Sequence, residues 1–311
     1  MLNTFYLCSG LTSIEIPNSV KTIGHLAFCG CSGLTSIEIP NSVMSIGQDA
    51  FESCSGLTSI YIPNSVTSIG RGAFSACYSL KAFTVDSAND YYKAISGVLF
   101  NKEGTILVSY PVGKTADSYS IPNSVTAIGD LAFYYCRGLT SIYIPNSVTT
   151  IGQFAFCGCS GLTSIEIPNS VMSIGQNAFS SCNGLTSVYI PNSVTTIGRG
   201  AFRYCTSLKT FTVDSANDYY KAISGVLFNK EGTILVSYPN GKTADSYSIP
   251  NGVTTIGDDA FEQCSGLTSV YIPNSVTSIG SGAFSGCSGL TSVYIPNSVT
   301  NIGWSAFSSC I

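Results

Sequence analysis

Residues Leu34–Cys54 read LTSIEIPNSVMSIGQDAFESC, and nearly the whole chain is made of copies of this stretch. The first full copy begins at Leu11, and others begin at Leu57, Leu139, Leu162, Leu185, Leu267 and Leu290, evenly spaced inside each run. Self-similarity at a fixed, short period is the mark of a stacked-repeat architecture, in which each unit packs only on its neighbours. Within the unit, Ile37 and Ile39 alternate with Ser36 and Glu38, the period of a strand with one buried face. Pro40 has no N–H and a fixed φ, so pairing stops there and Asn41 begins a turn. Val43 and Ile46 are expected to point back inward, with Gly47 at a tight bend. Ala50, Phe51 and Cys54 are expected to line a short helical or 3-10 turn before Gly56 leads into the next copy. One repeat cannot bury its own apolar face, so stacking is required for stability.

Two longer units interrupt the rhythm. Leu80–Gly138 and Leu208–Gly266 are equal in length, each longer than two short units and shorter than three. They impose a higher-order cassette repeat that runs from Leu11 to Leu139 to Leu267, and Asp86–Pro111 is identical to Asp214–Pro239. Each long unit reads as one extra coil carrying an insertion. In Gly97–Pro111, two apolar runs flank Asn101-Lys102-Glu103-Gly104, which predicts a hairpin with a four-residue loop. The expected organisation is a single solenoid over 1–311, with cassettes at 11–138 and 139–266, a partial one at 267–311, and hairpin insertions near 86–115 and 214–243. Twelve coils at about 4.8 Å each give a stack roughly 55–60 Å long. Met1–Gly10 reads as the tail of a truncated repeat, and the abrupt ends are expected to belong to a longer protein or to meet head-to-tail only weakly, leaving a monomer in dilute solution.

Charged residues make up 10% of the chain, against about 25% in ordinary globular proteins. The net charge of −4 leaves no basic stripe for nucleic acid and no polybasic membrane patch. The uncharged stretch Gln263–Ile311 is broken by Pro273 and Pro296, which argues against membrane insertion. No signal-peptide pattern precedes the repeats.

The pattern L-x-x-I-x-I-P-x-x-V-x-x-I-G-x-x-A-F-x-x-C at Leu34–Cys54, with V-L-F-N-K at Val98–Lys102 and Tyr110-Pro111, resembles the BspA-like class of leucine-rich repeats. The resemblance implies a curved, right-handed solenoid of α/β type. It would carry one parallel β-sheet, short helical or 3-10 turns and two inserted β-hairpins. It further implies a secreted or cell-surface adhesion module that binds host proteins or other cells. No binding residues of that class are fixed by a motif.

Eleven of the 13 cysteines share one register. Cys31, Cys54, Cys77, Cys136, Cys159, Cys182, Cys205, Cys264 and Cys287 are expected to form a column of buried, unpaired thiols, with Cys8 and Cys310 at its ends. Metal binding would want ligands two to four residues apart. Cys29 and Cys157 stand outside the column and read as exposed, variable positions. His25, the one histidine, reads as a solvent-facing turn residue, and Asp86, Asn89 and Asp90 as Asx turns rather than a calcium loop. Neither a catalytic constellation nor a cofactor motif is present in the sequence, which predicts a non-enzymatic chain.

What remains is the exposed position between the two strand isoleucines. It holds Glu15, Glu38, Tyr61, Tyr143, Glu166, Tyr189, Tyr271 and Tyr294, with Thr84, Ser120, Thr212 and Ser248 in the long units. Stacking predicts a continuous Tyr/Glu stripe flanked by serines. Side-by-side tyrosines on an open face suit recognition of a protein or glycan. The competing expectation is a passive spacer, the tyrosines being there for their strand propensity.

Overall fold

The structure, a computed structural model, describes residues 3–310. The chain winds into a β-solenoid of stacked parallel coils, and each residue of a short coil lies over its equivalent in the next. Thr22–Ile23 pairs in parallel with Ser45–Ile46, which pairs with Ser68–Ile69. The face strands stack in the same register where they are hydrogen-bonded, as in Ser59–Ile62 on Ala82–Val85.

Two expectations are corrected here. The single sheet is in fact two ladders. One is formed by the face strands, which pair two by two beside the long units. The other, more continuous, is formed by the two-residue Thr/Ser-Ile segments just before the I-G glycines, such as Ser173–Ile174 on Thr196–Ile197. Val43 and Ile46 do point inward, at 0% and 1% exposure, but Ile46 does so from a strand. Gly47 opens the turn into the arm, its carbonyl accepting from Ala50 N–H, and also serves close approach. A Cβ there would lie 2.5 Å from the carbonyl carbon of Gly24 in the coil below.

The second correction concerns the turn. Among the described residues there is no helix. The arm Gly47–Cys54 carries two left-handed residues four apart, Asp49 (φ 53°) and Ser53 (φ 59°), and its counterparts carry Leu131 and Tyr135, Asn177 and Ser181, Asp259 and Gln263. Each reversal breaks the run of right-handed φ a helix needs. Alternate amides then bond within the arm, as Ala50 N–H to Gly47 O and Glu52 N–H to Asp49 O. The others bond to the coil above: Asp49, Phe51 and Ser53 donate to Arg71, Ala73 and Ser75. Neighbouring coils are therefore tied along the arms as well as along the two ladders. Every second arm amide depends on the next coil for its partner.

Phenylalanines stack inside the arms. Phe5, Phe28, Phe51 and Phe74 form an offset column with centroids 5.1–5.5 Å apart. Tyr110 heads a second column with Phe133, Phe156, Phe179 and Phe202. The serines of P-N-S-V add side-chain ties, as Ser65 Oγ to Val43 O at 2.7 Å.

The predicted hairpin is present, Val98–Asn101 antiparallel to Ile106–Ser109, but a third strand, Tyr92–Ile95, precedes it. Ile106–Ser109 then joins the second ladder in parallel with Ala127–Ile128, so the insertion is built into the stack. Its middle strand is a bulkhead. Val98 and Phe100 pack into the core of the following coils, while Leu99 packs into the core of the preceding ones, each with 0% exposure. The second copy repeats this with Leu227 on one side and Val226 and Phe228 on the other. A strand buried on both faces is a continuous apolar run, which explains V-L-F. The interior of the solenoid is thereby divided into three compartments.

Asn89 anchors the first insertion with a fully buried side chain. Its amide donates to Pro63 O (2.8 Å) and Val66 O (3.0 Å) and accepts from the Tyr91 and Tyr92 amides. Asp86 Oδ1 accepts from Ala88 N–H, an Asx turn, and Oδ2 accepts from the Tyr61 hydroxyl. Asn217, Asp214 and Tyr189 repeat the arrangement.

Candidate recognition face

The face segments present Glu15, Glu38, Tyr61, Tyr143, Glu166, Tyr189, Tyr271 and Tyr294 to solvent, with Tyr61, Tyr143, Tyr189 and Tyr271 on assigned strands. Alternation puts the flanking isoleucines inside, as Ile60 and Ile62 at 1% and 0% exposure around Tyr61 at 47%. Cross-coil pairing places Tyr61 beside Thr84, Ser120 beside Tyr143, Tyr189 beside Thr212 and Ser248 beside Tyr271.

The stripe is not continuous. Between Thr84 and Ser120 the turn of the insertion intervenes: Phe83 N–H donates to Gly97 O, and Gly97 lies against Ala82. The face therefore breaks into patches at each insertion. Nor are its tyrosines equivalent. Tyr61 and Tyr189 are tied by their hydroxyls to Asp86 (2.8 Å) and Asp214 (2.6 Å), which raises both phenols above the usual tyrosine range. Asp86 and Asp214 are lowered in turn. For Asp86 the Ala88 amide is the larger cause and the Tyr61 hydroxyl the second, and for Asp214 the order is reversed. The reason for these two tyrosines is thus partly structural: they dock the insertions onto the preceding coil.

Tyr143 has a different setting. It is 56% exposed and borders a shallow depression of about 270 Å³ with Ser118, Ser120, Ser141, Ser164 and Glu166 around it. The arrangement joins an aromatic surface, a carboxylate and several hydroxyls in one concavity. It can stack on an apolar ring or sugar face while accepting and donating hydrogen bonds at the rim.

The cysteine column lies on the inner side of the arms. Each of its nine central thiols is at most 1% exposed, and most donate to a phenylalanine carbonyl in the preceding coil, as Cys54 to Phe28 O and Cys182 to Phe156 O at 3.1 Å. Burial pushes Cys77, Cys205 and Cys287 up to about 12. Cys29 and Cys157 are not exposed, contrary to the sequence expectation: each is only 7% accessible, because the arm of the next coil covers them. Cys29 Sγ lies 3.7 Å from Glu52, and burial followed by that carboxylate pushes its thiol up to about 11. His25 is half-buried, with Nδ1 2.9 Å from Gln48 O. All 13 cysteines are unpaired. Among the described residues no group of three or more His, Cys, Asp or Glu could hold a metal ion, and no helix is long and apolar enough to cross a membrane.

Stacked coils, paired in parallel from one repeat to the next and closed by I-G and A-F arms, define a leucine-rich repeat solenoid. The model of the BspA-type leucine-rich repeat region matches in six copies over residues 2–106, 113–231 and 237–311, and the chain belongs to that family. The sequence matches no curated protein. Among solved structures it is similar to a leucine-rich repeat protein from Eubacterium ventriosum, at 25% identity and TM-score 0.50, covering 94% of this chain and 81% of that one. It shares a fold with the pneumococcal vaccine antigen PcpA, at 22% identity and TM-score 0.58, covering 91% and 66%. A leucine-rich cell surface protein from Faecalibacterium prausnitzii is 28% identical over 96% of this chain and 83% of that one, with TM-score 0.44.

Proposed function

We propose that the chain is a non-catalytic recognition module of a secreted or cell-surface protein, engaging a protein or glycan through the face strands. The observation that carries this is the Tyr143–Glu166 depression, where an exposed ring free of the Asp tie seen at Tyr61 borders a carboxylate and a row of serines. Tyr271 and Tyr294, at 58% and 73% exposure, offer similar surfaces on later coils. Membership of a repeat family represented among bacterial surface proteins supports the surface setting and a binding or structural role. The second reading, a spacer that holds another domain away from a cell, is favoured by the compartmented, doubly laddered stack.

The two are separated by replacing Tyr143, Tyr271 and Glu166 with Ser, Ser and Ala, and screening both proteins against glycans and extracellular matrix proteins. Central aromatic anchors are worth about 2 kcal/mol or more, so binding should weaken by at least about tenfold with the circular dichroism spectrum unchanged. Undiminished binding would remove the face from consideration, and a wild-type protein that binds nothing in the screen would favour the spacer.

A further inference from the structure

Each insertion opens a slot in the arm side of the solenoid. The coil beginning at Leu80 has no I-G-x-x-A-F arm, and of its residues Tyr110 alone takes up the arm register, donating to Ala132 O at 2.7 Å and stacking on Phe133. One arm is therefore missing between Arg71–Ala76 and Asp130–Tyr134. At about 4.8 Å per coil the two flanking backbones stand roughly 9–10 Å apart, the room one extended strand needs. The cavity there holds about 210 Å³ between Gly70–Ser75 and Gly129–Leu131, with Ile106, Val108 and Ser109 as its floor.

The walls of this slot are chemically opposite. In complete arms the first, third and fifth amides donate to the coil above, as Asp49, Phe51 and Ser53 do. Their equivalents Gly72, Phe74 and Ala76 have no backbone or side-chain acceptor among the described residues. On the far wall Asp130 O and Tyr134 O, which occupy the positions of Arg71 O and Ser75 O, accept from no backbone amide among the described residues. Donors at alternate positions face acceptors on the opposite wall. A polypeptide backbone satisfies both at once. An anion would meet the carbonyls and the Asp130 carboxylate. The apolar floor at Ile106, 40% exposed, calls for small side chains pointing inward.

The second slot, built from the equivalent residues one cassette further on, is laced shut. Leu131 is replaced there by Asp259, which takes Arg199 in two bonds of 2.6 and 2.8 Å. Glu262, in place of Tyr134, accepts from Tyr204 (2.7 Å) and Arg203 (3.4 Å), and its carbonyl accepts from the Asn240 side chain, where the first slot has Val112. The second cavity is smaller, about 120 Å³. Across the first slot reach Arg71, 3.8 Å from Asp130 and 3.1 Å from Gln153 Oε1 with its Nε lacking a hydrogen-bond partner, and the apolar Leu131, whose Cδ1 would lie 3.0 Å from a Cβ on Gly72.

We propose that the first slot, between Gly72–Ala76 and Asp130–Tyr134, receives an extended peptide of small residues from a partner protein as a replacement strand, and that the second slot is its closed counterpart. Main-chain pairing of this kind gives affinity with little side-chain specificity. The test is titration of the full ¹⁵N-labelled chain with a capped alternating Ala/Ser hexapeptide at millimolar concentration. The amides of Gly72, Phe74 and Ala76 should shift downfield and exchange with solvent at least about tenfold more slowly, while those of Gly200, Phe202 and Tyr204 stay put. Leu131→Asp, which recreates the second slot's lock against Arg71, should abolish the response, and a peptide N-methylated at alternate residues should give none. Unmoved Gly72, Phe74 and Ala76 amides, an equal response at both slots, retention by the N-methylated peptide, or the same shifts with inorganic phosphate alone would each overturn the proposal.

Discussion

Asn89→Ala removes the four hydrogen bonds of a fully buried side chain. The substitution leaves the Tyr91 and Tyr92 amides and the Val66 carbonyl without partners, while Pro63 O keeps the Val66 amide at 3.2 Å. A buried group left unsatisfied costs about 1–3 kcal/mol, so three of them, with partial relaxation, predict a loss of about 3–5 kcal/mol. In a repeat stack that loss is felt first by the coils in contact with it. The insertion strand Tyr92–Ile95 should open, releasing the Tyr92 hydroxyl from the Ile69 amide, which donates to it at 2.8 Å. Native-state hydrogen exchange of the 69 and 92–101 amides, backed by urea titration followed by circular dichroism, reads this directly. Asn217→Ala, in the identical setting of the second insertion, should cost the same, and the double variant should show the sum. A loss below about 1 kcal/mol at either site would refute the view that these asparagines hold the insertions in the stack.

Thiol labelling at pH 8 should modify Cys8 quickly, and the nine central column cysteines only after denaturation; reaction of more than about four of the 13 thiols in the native state would contradict the burial described. Because Cys77, Cys205 and Cys287 are raised from 9.0 to about 12, their contribution to stability is complete below pH 9 and is lost as pH climbs from there through about 12. Urea midpoints between pH 8 and 11 should fall accordingly, and less steeply in Cys77→Ala. The Tyr61–Asp86 contact is whole between the lowered carboxylate and the raised phenol; Asp86→Asn should bring the Tyr61 titration, followed by NMR, back toward the ordinary tyrosine range. Asp259→Ala should speed exchange of the arm amides around Gly200, whereas Asp130→Ala should change those around Gly72 little, since the first ion pair spans 3.8 Å between half-exposed groups.

Periodicity made the architecture legible, because in a stack the same letter in successive repeats becomes a spatial neighbour. The face strands, the inward aliphatic residues and the cysteine column all follow from the even spacing of the repeats. The arms are not legible in the same way, because A-F-x-x-C at near-helical spacing looks like one turn of helix. Its signal was present but faint: the positions of Asp49 and Ser53 are filled by Gly72, Gly30 or Gly286 in other copies, and glycine recurring among polar and apolar residues marks a left-handed φ. The bulkhead was legible in V-L-F only to a reader who asked why three adjacent residues are all apolar. At Cys29 and Cys157 sequence variability is a poor guide to exposure, because packing by the next arm decides burial. The break in the stripe depends on where the Gly97 turn lands, which no local pattern encodes.

The bulkheads bear on how such a molecule fails and grows. Fraying that begins at an end must dissolve a strand sealed on both sides before it can pass into the next compartment, so damage to one section stays local. Whole sections can likewise be added or lost between bulkheads without retuning any contact, which leaves reach as a property that varies freely while the cross-section stays fixed.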